Sequence, residues 1–335
     1  MDLQNILDQK IKSLPAGPFQ IGLRAVMAHI DAAVKHYKRG QSEPDQTLFT
    51  DVVFRCNQAF EGSVKEAYRV LAGKDPSHIK PHKIEEFLSE ADLLRKKVLD
   101  QFTRYRTEWR NPSTHDYTLD FDEDEGLMAI VSVTVFAIVL CDQIDGKLAF
   151  DAAAEPKTSQ SNSTIEQNEP LLDVVADTLA KFAGEQIQGD TAVHDQSTRH
   201  YFHVAGTIAG YLSSELASIP RVDVKQGQTF SERETDIVVE RVSDTGVAER
   251  IVVELKISSP RGRSLPRQYI ERNAVQKAAF FLHLPDVNGA VVFLYSGNKR
   301  HYRVFDAAGI PAEKLRVVAP ALDTKSQRSD DAPAG

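Results

Sequence analysis

Two short sets of residues have types and spacings that could do chemistry. In "YRTEWRNPSTHDY", Arg110 is followed at once by Asn111 and then, beyond Pro112, by His115. In "TDIVVERVSDTGVAERIVVELKIS", Asp236 precedes Glu254 and Lys256. A histidine near its ordinary pKa of ~6.5 takes or gives a proton at neutral pH. An arginine offers a planar fork to a phosphate and to the charge that develops on it. Such a pair could cleave RNA without a metal, the 2′-hydroxyl attacking the neighbouring phosphate. Two carboxylates on adjacent strands repel unless a cation joins them, and with water they suit Mg²⁺ or Mn²⁺. A lysine beside them could orient or deprotonate the attacking water and offset charge at a phosphate.

The first set needs helices to position it. Residues 1–150 carry apolar residues at helical spacing, as in "FQIGLRAVMAHIDAAVKHYKRG", "TLFTDVVFRCNQAFEGSVKEAYRVLAG" and "HKIEEFLSEADLLRKKVLDQFTRYRTEW". A further helix is predicted after "DFDEDEG", whose acids suit the positive end of a helix dipole. Pro112 disfavours helical backbone at Asn111, so the chain is expected to turn there. The turn would bring Arg110 and His115 together at a helix terminus. One Arg and one His make a sparse site, and two chains meeting at the turn would double it. The strongly apolar helix that follows suits such a homodimer interface. Arg104 and Arg106, just upstream, are candidate nucleic-acid contacts.

The second set needs a hairpin. Two β-branched runs flank "SDTG". If paired residue numbers sum to 490, Arg241 faces Glu249 and Glu240 faces Arg250, two opposite-charge pairs. The neighbouring register would set Glu240 against Glu249. The favoured register puts Asp236 opposite Glu254, and alternation sets Asp236, Glu254 and Lys256 on one face. Ile237, Val239, Ile251, Val253, Leu255 and Ile257 fall on the other, predicted core, face. The connection is then a five-residue loop or a bulge, which Gly246 permits.

On these residues, 1–150 resembles a HEPN domain, an all-α helical bundle whose signature runs from an Arg, often with Asn next, to a His a few residues on. "RNPSTH" supplies Arg110, Asn111 and His115. The resemblance implies a dimer with a composite, metal-independent ribonuclease site, common in bacterial anti-phage and toxin systems. The C-terminal half resembles the PD-(D/E)XK nuclease superfamily: an α/β, restriction-endonuclease-like domain with a central mixed sheet. Asp236 and "ELK" match its motif, with Thr235 where a proline is usual. The resemblance implies a Mg²⁺ or Mn²⁺ site at Asp236 and Glu254, with Lys256 catalytic. It offers Glu215, in the helix before the sheet, as a further carboxylate. "QKAAF" is similar to a Gln-x-x-x-Tyr element and makes Gln276 a nucleic-acid contact, beside Arg261 and Arg263 in the basic stretch after the hairpin. Three functions follow as expectations. One is an endoribonuclease acting through Arg110 and His115, and another a Mg²⁺-dependent DNase acting through Asp236, Glu254 and Lys256. The last is a dimeric, non-catalytic binding or regulatory protein, with a co-encoded regulator as a candidate partner.

Composition sets the bounds. The chain has 335 residues, 41% hydrophobic and 26% charged, enough for about two domains. A net charge of −8 argues against a general nucleic-acid coat but leaves room for local basic surfaces. The longest apolar stretch, Met128 to Cys141, is shorter than the ~20 residues a helix needs to cross a bilayer. No signal peptide is evident at the start, and Cys56 and Cys141 imply neither a disulfide framework nor a metal set, so a cytoplasmic location is expected. Residues 151–170 have linker composition, 171–318 form the predicted second domain and 319–335 a tail. That domain is read as helices near 171–187 and 197–218, then strands near 222–230, 235–242, 248–258, 289–296 and 301–306. A helix near 267–283 lies between the third and fourth strands. His194, His200 and His203 lack the company of a zinc set and are read as structural.

Overall fold

A computed structural model describes residues 2–43, 45–91, 93–115, 119–155, 169–185, 201–243, 246–257, 267–296, 299 and 301–321; the side chains of Thr114, His115, Arg267 and Gln268 lie outside it. The chain divides into two compact units, Met1–Asp151 and Ala152–Gly335. The described part of the first is helical, and the second carries a mixed sheet with helices.

The first unit runs through α1 (Leu3–Ser13), α2 (Phe19–Ser42), α3 (Thr47–Leu71), α4 (Pro81–Glu90), α5 (Lys96–Tyr105), α6 (Asn111–His115) and α7 (Glu123–Ala154). The predicted third helix is broken between α4 and α5, α1 was not anticipated, and α7 takes in the first residues of the expected linker. The core is aromatic at its centre. Phe60 of α3 stacks on Tyr105 at 4.7 Å and packs on Phe102 and Phe136. Half of the most apolar window of α7, a helix long and apolar enough to cross a membrane, is buried in the protein, which accounts for much of its hydropathy. Leu127, Met128 and Val131 remain exposed on its first turns.

The expected turn at Asn111 does not occur. Asn111 is helical (φ −68, ψ −47) and its N–H bonds the carbonyl of Arg106, five residues back, closing a π-helical turn over Arg106–Arg110. A proline ring strikes the carbonyl of the preceding turn in an α-helix and lacks an N–H. The wider π turn just ahead of Pro112 gives the ring room, so the helix carries on to His115. Asn57 of α3 braces this segment from the core side. It accepts from the Tyr105 hydroxyl at 3.0 Å and donates to Ser113 Oγ at 2.6 Å, and Ser113 donates back to the carbonyl of Arg110 at 3.1 Å.

In the second unit α8 (Leu171–Glu185) and α9 (Tyr201–Glu215) precede the strands β1 (Val222–Gln226), β2 (Thr229–Phe230), β3 (Arg233–Glu234), β4 (Ile237–Val242) and β5 (Ala248–Ile257). Then come α10 (Arg267–Phe281), β6 (Gly289–Tyr295), β7 (Tyr302–Asp306) and β8 (Leu315–Pro320). The 6-stranded sheet has the order β1-β4-β5-β6-β8-β7. Strands β1, β4 and β5 are antiparallel, β5, β6 and β8 run parallel, and β7 returns antiparallel to β8. β8 was not anticipated and carries the domain past the predicted end at 318. The short pair β2–β3 was also missed. Its turn residues Ser231 and Glu232 both have positive φ (44 and 69), the backbone of a tight hairpin. Arg233 lies 3.8 Å over the ring of Phe280, and Phe230 packs on Phe281, so this hairpin grips α10.

The expected β4–β5 register holds. Ile237 pairs with Val253, Glu240 with Arg250 and Arg241 with Glu249, leaving residues 243–247 as the loop, with Gly246 at φ +80. The expectation of a single core face is corrected. Both faces of the sheet are covered, because a parallel crossover puts a helix on the face that a plain hairpin would leave wet. Phe182 of α8 meets Phe293 and Tyr295 on one side. Ala274, Ala278 and Phe281 of α10 pack with Val252, Val292 and Leu294 on the other.

The Tyr105–Asn57 hydrogen bond is buried, so Asn57→Ala leaves the Tyr105 hydroxyl without its acceptor. The expected cost is about 1–3 kcal/mol in urea unfolding of the full chain; an unchanged midpoint would show that Asn57 does not hold the π turn.

Candidate functional sites

The hairpin register gathers the second set of residues. Glu254 lies mid-strand in β5 on the face toward α10 and is 0% exposed. Asp236, just before β4, accepts a hydrogen bond from the backbone N–H of Leu255 at 2.7 Å, which ties its carboxylate to the strand beside Glu254. Lys256 Nζ donates to Glu254 Oε1 at 2.5 Å. Lys277 Nζ, from α10, stands 2.6 Å from the other oxygen, Oε2. Burial, and next the Asp236 carboxylate, push the Glu254 carboxyl above its usual range, and the ammoniums of Lys256 and Lys277 pull it back.

Lys277 was missed from sequence, where the neighbouring Gln276 was chosen; Gln276 is exposed on α10. The missed signal was parity. Ala274, Ala278 and Phe281 form the buried stripe of this helix, and position 277 belongs to the same stripe. Glu215 is corrected as a metal-ligand candidate. It sits on α9 and pairs with Lys181 at 2.6 Å, in the helical layer built with α8 across the sheet from α10. Among the described residues no group of three His, Cys, Asp or Glu converges on a metal position. Asp236 and Glu254 still fit a hard, oxygen-seeking cation of the Mg²⁺ kind, which makes do with one or two carboxylates, water and substrate phosphate. Oε2, which the Lys277 ammonium already meets at 2.6 Å, marks where such a cation would sit. Arg261 and Arg263 lie outside the described residues, as do His194 and His200.

The first set lies beside a cleft of about 500 Å³ that Arg106, Arg110 and Asn111 line together with His82, Glu85 and Glu86 of α4. Arg110 Nη1 donates to Asn111 Oδ1 at 3.1 Å. Arg110 Nε stands 3.5 Å from Glu85 Oε1, and both side chains are largely buried, at 14% and 5% exposure. Glu85 was not anticipated, although it too is a charge inside a buried helical stripe, between Ile84 and Leu88. Arg106 also covers the ring of Phe102 at 5.3 Å. Arg104 is exposed and paired with Glu108, and is not among the cleft residues. His115 ends the helix begun at Asn111, and its side chain lies outside the described residues.

Burial pushes the Glu85 carboxyl up, against the pull of Arg110 and then Arg106, with Glu61 adding to the rise and His82 opposing it. Comparison with known protein families, with curated proteins and with solved structures finds no match for this chain.

The Glu85 environment has a sign that can be checked. A carboxyl held above its unfolded pKa of ~4.3 gives stability that is complete below that value and is lost as pH rises through the folded pKa. Glu85→Gln cannot lose a proton. The melting temperature of the wild type relative to Glu85→Gln is therefore expected to fall as pH rises from about 4 toward neutrality. A difference that stays constant across that range would mean that Glu85 is not perturbed.

Proposed function

We propose that this chain is a nuclease and that its C-terminal unit hydrolyses nucleic-acid phosphodiesters with Mg²⁺ or Mn²⁺ held by Asp236 and Glu254. The observation that carries the reading is the gathering of Asp236, Glu254 and Lys256 on one face by a register that surface charge pairs fix independently. Asp236 and the Glu254-x-Lys256 motif resemble the motif of PD-(D/E)XK nucleases. When bound, the cation would lower the pKa of a water and neutralise charge on the phosphate. The Asp236 carboxylate, oriented by the Leu255 N–H, and the buried Glu254 carboxylate would hold it. Lys256 is 37% exposed at its side chain, so its ammonium faces both the carboxylate and an incoming phosphate. There it orients the attacking water and offsets charge as the phosphorus–oxygen bond breaks.

A second reading is supported by the cleft at Arg106, Arg110 and Asn111. A phosphate entering it would meet two guanidiniums, with His115 at the end of the same helix for proton transfer, as in a HEPN-type ribonuclease. The exposed Leu127, Met128 and Val131 of α7 offer a second copy of the chain an apolar surface.

Cleavage of labelled RNA and DNA by the full chain separates the two. With Mg²⁺, Lys256→Ala and Asp236→Asn are expected to lose about 10²–10⁴-fold in rate, and EDTA to abolish cleavage. RNA cleavage that survives EDTA and Lys256→Ala but vanishes in His115→Ala would sink the C-terminal reading in favour of the N-terminal one.

A further inference from the structure

Glu254 is a fully buried carboxylate with an ammonium on each oxygen, and the two ammoniums are not equivalent. Lys256 belongs to the same strand and makes an aligned hydrogen bond to Oε1 at 2.5 Å. Lys277 reaches in from α10, a separate element, and holds Oε2 at 2.6 Å. Its side chain is 36% exposed, so its head can turn toward water without unpacking the helix, whose Ala274, Ala278 and Phe281 stay in the core. A dication on Oε2 and an ammonium at the same oxygen would repel strongly at such range. One of them has to leave, and Lys277 is the ammonium on that oxygen, while Lys256 holds Oε1.

We infer that Lys277 occupies the cation position of this site and yields it when a nucleic-acid phosphate arrives to receive its ammonium, so that divalent metal and nucleic acid bind together. The inference rests on the metal reading of Asp236 and Glu254. Without nucleic acid the site is neutralised by its own lysines and takes metal weakly. A polyanion that draws Lys277 outward frees Oε2, and by reciprocity bound metal strengthens nucleic-acid binding by the same factor. Lys277 is a positioning residue in this scheme, because it acts through Glu254.

Calorimetric titration of Mn²⁺ into the full chain tests this without a cleavage assay. Lys277→Met keeps the aliphatic stem and removes the charge, and Lys277→Gln is a second neutral side chain. Both are expected to bind Mn²⁺ about tenfold more tightly than the wild type, the scale of an ordinary coupling between sites. A phosphorothioate DNA oligonucleotide, added before the metal, should tighten Mn²⁺ binding to the wild type and leave Lys277→Met nearly unmoved. Wild-type binding that equals or exceeds that of both variants, or that ignores the oligonucleotide, overturns the inference and leaves the metal reading intact. If neither wild type nor variants take Mn²⁺, the metal reading falls and the inference with it.

Discussion

The geometry of the candidate site in the C-terminal unit depends on the parity of one strand pair. Arg241 with Glu249 and Glu240 with Arg250 lock β4 against β5. A slip of one residue would send the alternate side chains to the opposite face. Asp236 and Glu254 would then no longer share a side, and Leu255 would take the position beneath α10 that Glu254 holds. Each pair is worth only a few tenths of a kcal/mol. Their effect is larger than their energy, because the apolar residues of β4 and β5 are so uniform that they specify register weakly. Val238, Val239, Val252 and Val253 would fill either face equally well.

Both units place a carboxylate where burial alone would exclude one. Glu85 and Glu254 each sit in an apolar layer, each faces two cationic groups, and each is pushed toward its protonated form by desolvation. A buried ion pair seldom adds net stability over a hydrophobic replacement. The first unit keeps its pair next to a π-helical turn and a cleft, and the second keeps its own at the end of a hairpin register. Structural economy favours neither arrangement, and buried charges of this kind mark both places as candidate sites.

Much of this was legible in the sequence. The division into a helical half and a sheet-bearing half, five strands of the sheet, and the register that joins Asp236 to Glu254 all follow from periodicity and charge pairing. Misreadings came where one local rule was applied without its neighbours. Pro112 suggests a turn only if the preceding helix is an α-helix, and the π turn removes that condition. β8 has few alternating residues and ends on Pro320, and its last two residues fall in the stretch expected to be a tail. Lys277 and Glu85 were not picked as site residues because helix reading sorts apolar from polar positions and passes over the single charge that falls on the wrong side. Glu215 looked suitable by proximity in sequence to the sheet, and the layer to which α9 belongs could not be read from the chain.

The β2–β3 hairpin, with Arg233 over Phe280 and Phe230 against Phe281, bears on time as well as place. It fastens the end of α10 nearest Lys277, so the inferred exchange asks for no shift of the helix. Only the dihedrals of one lysine side chain must turn, and partly exposed side chains reorient in picoseconds to nanoseconds. Hinges and lids take microseconds or longer. If Lys277 yields as inferred, its turn adds no slow rearrangement of the fold ahead of capture.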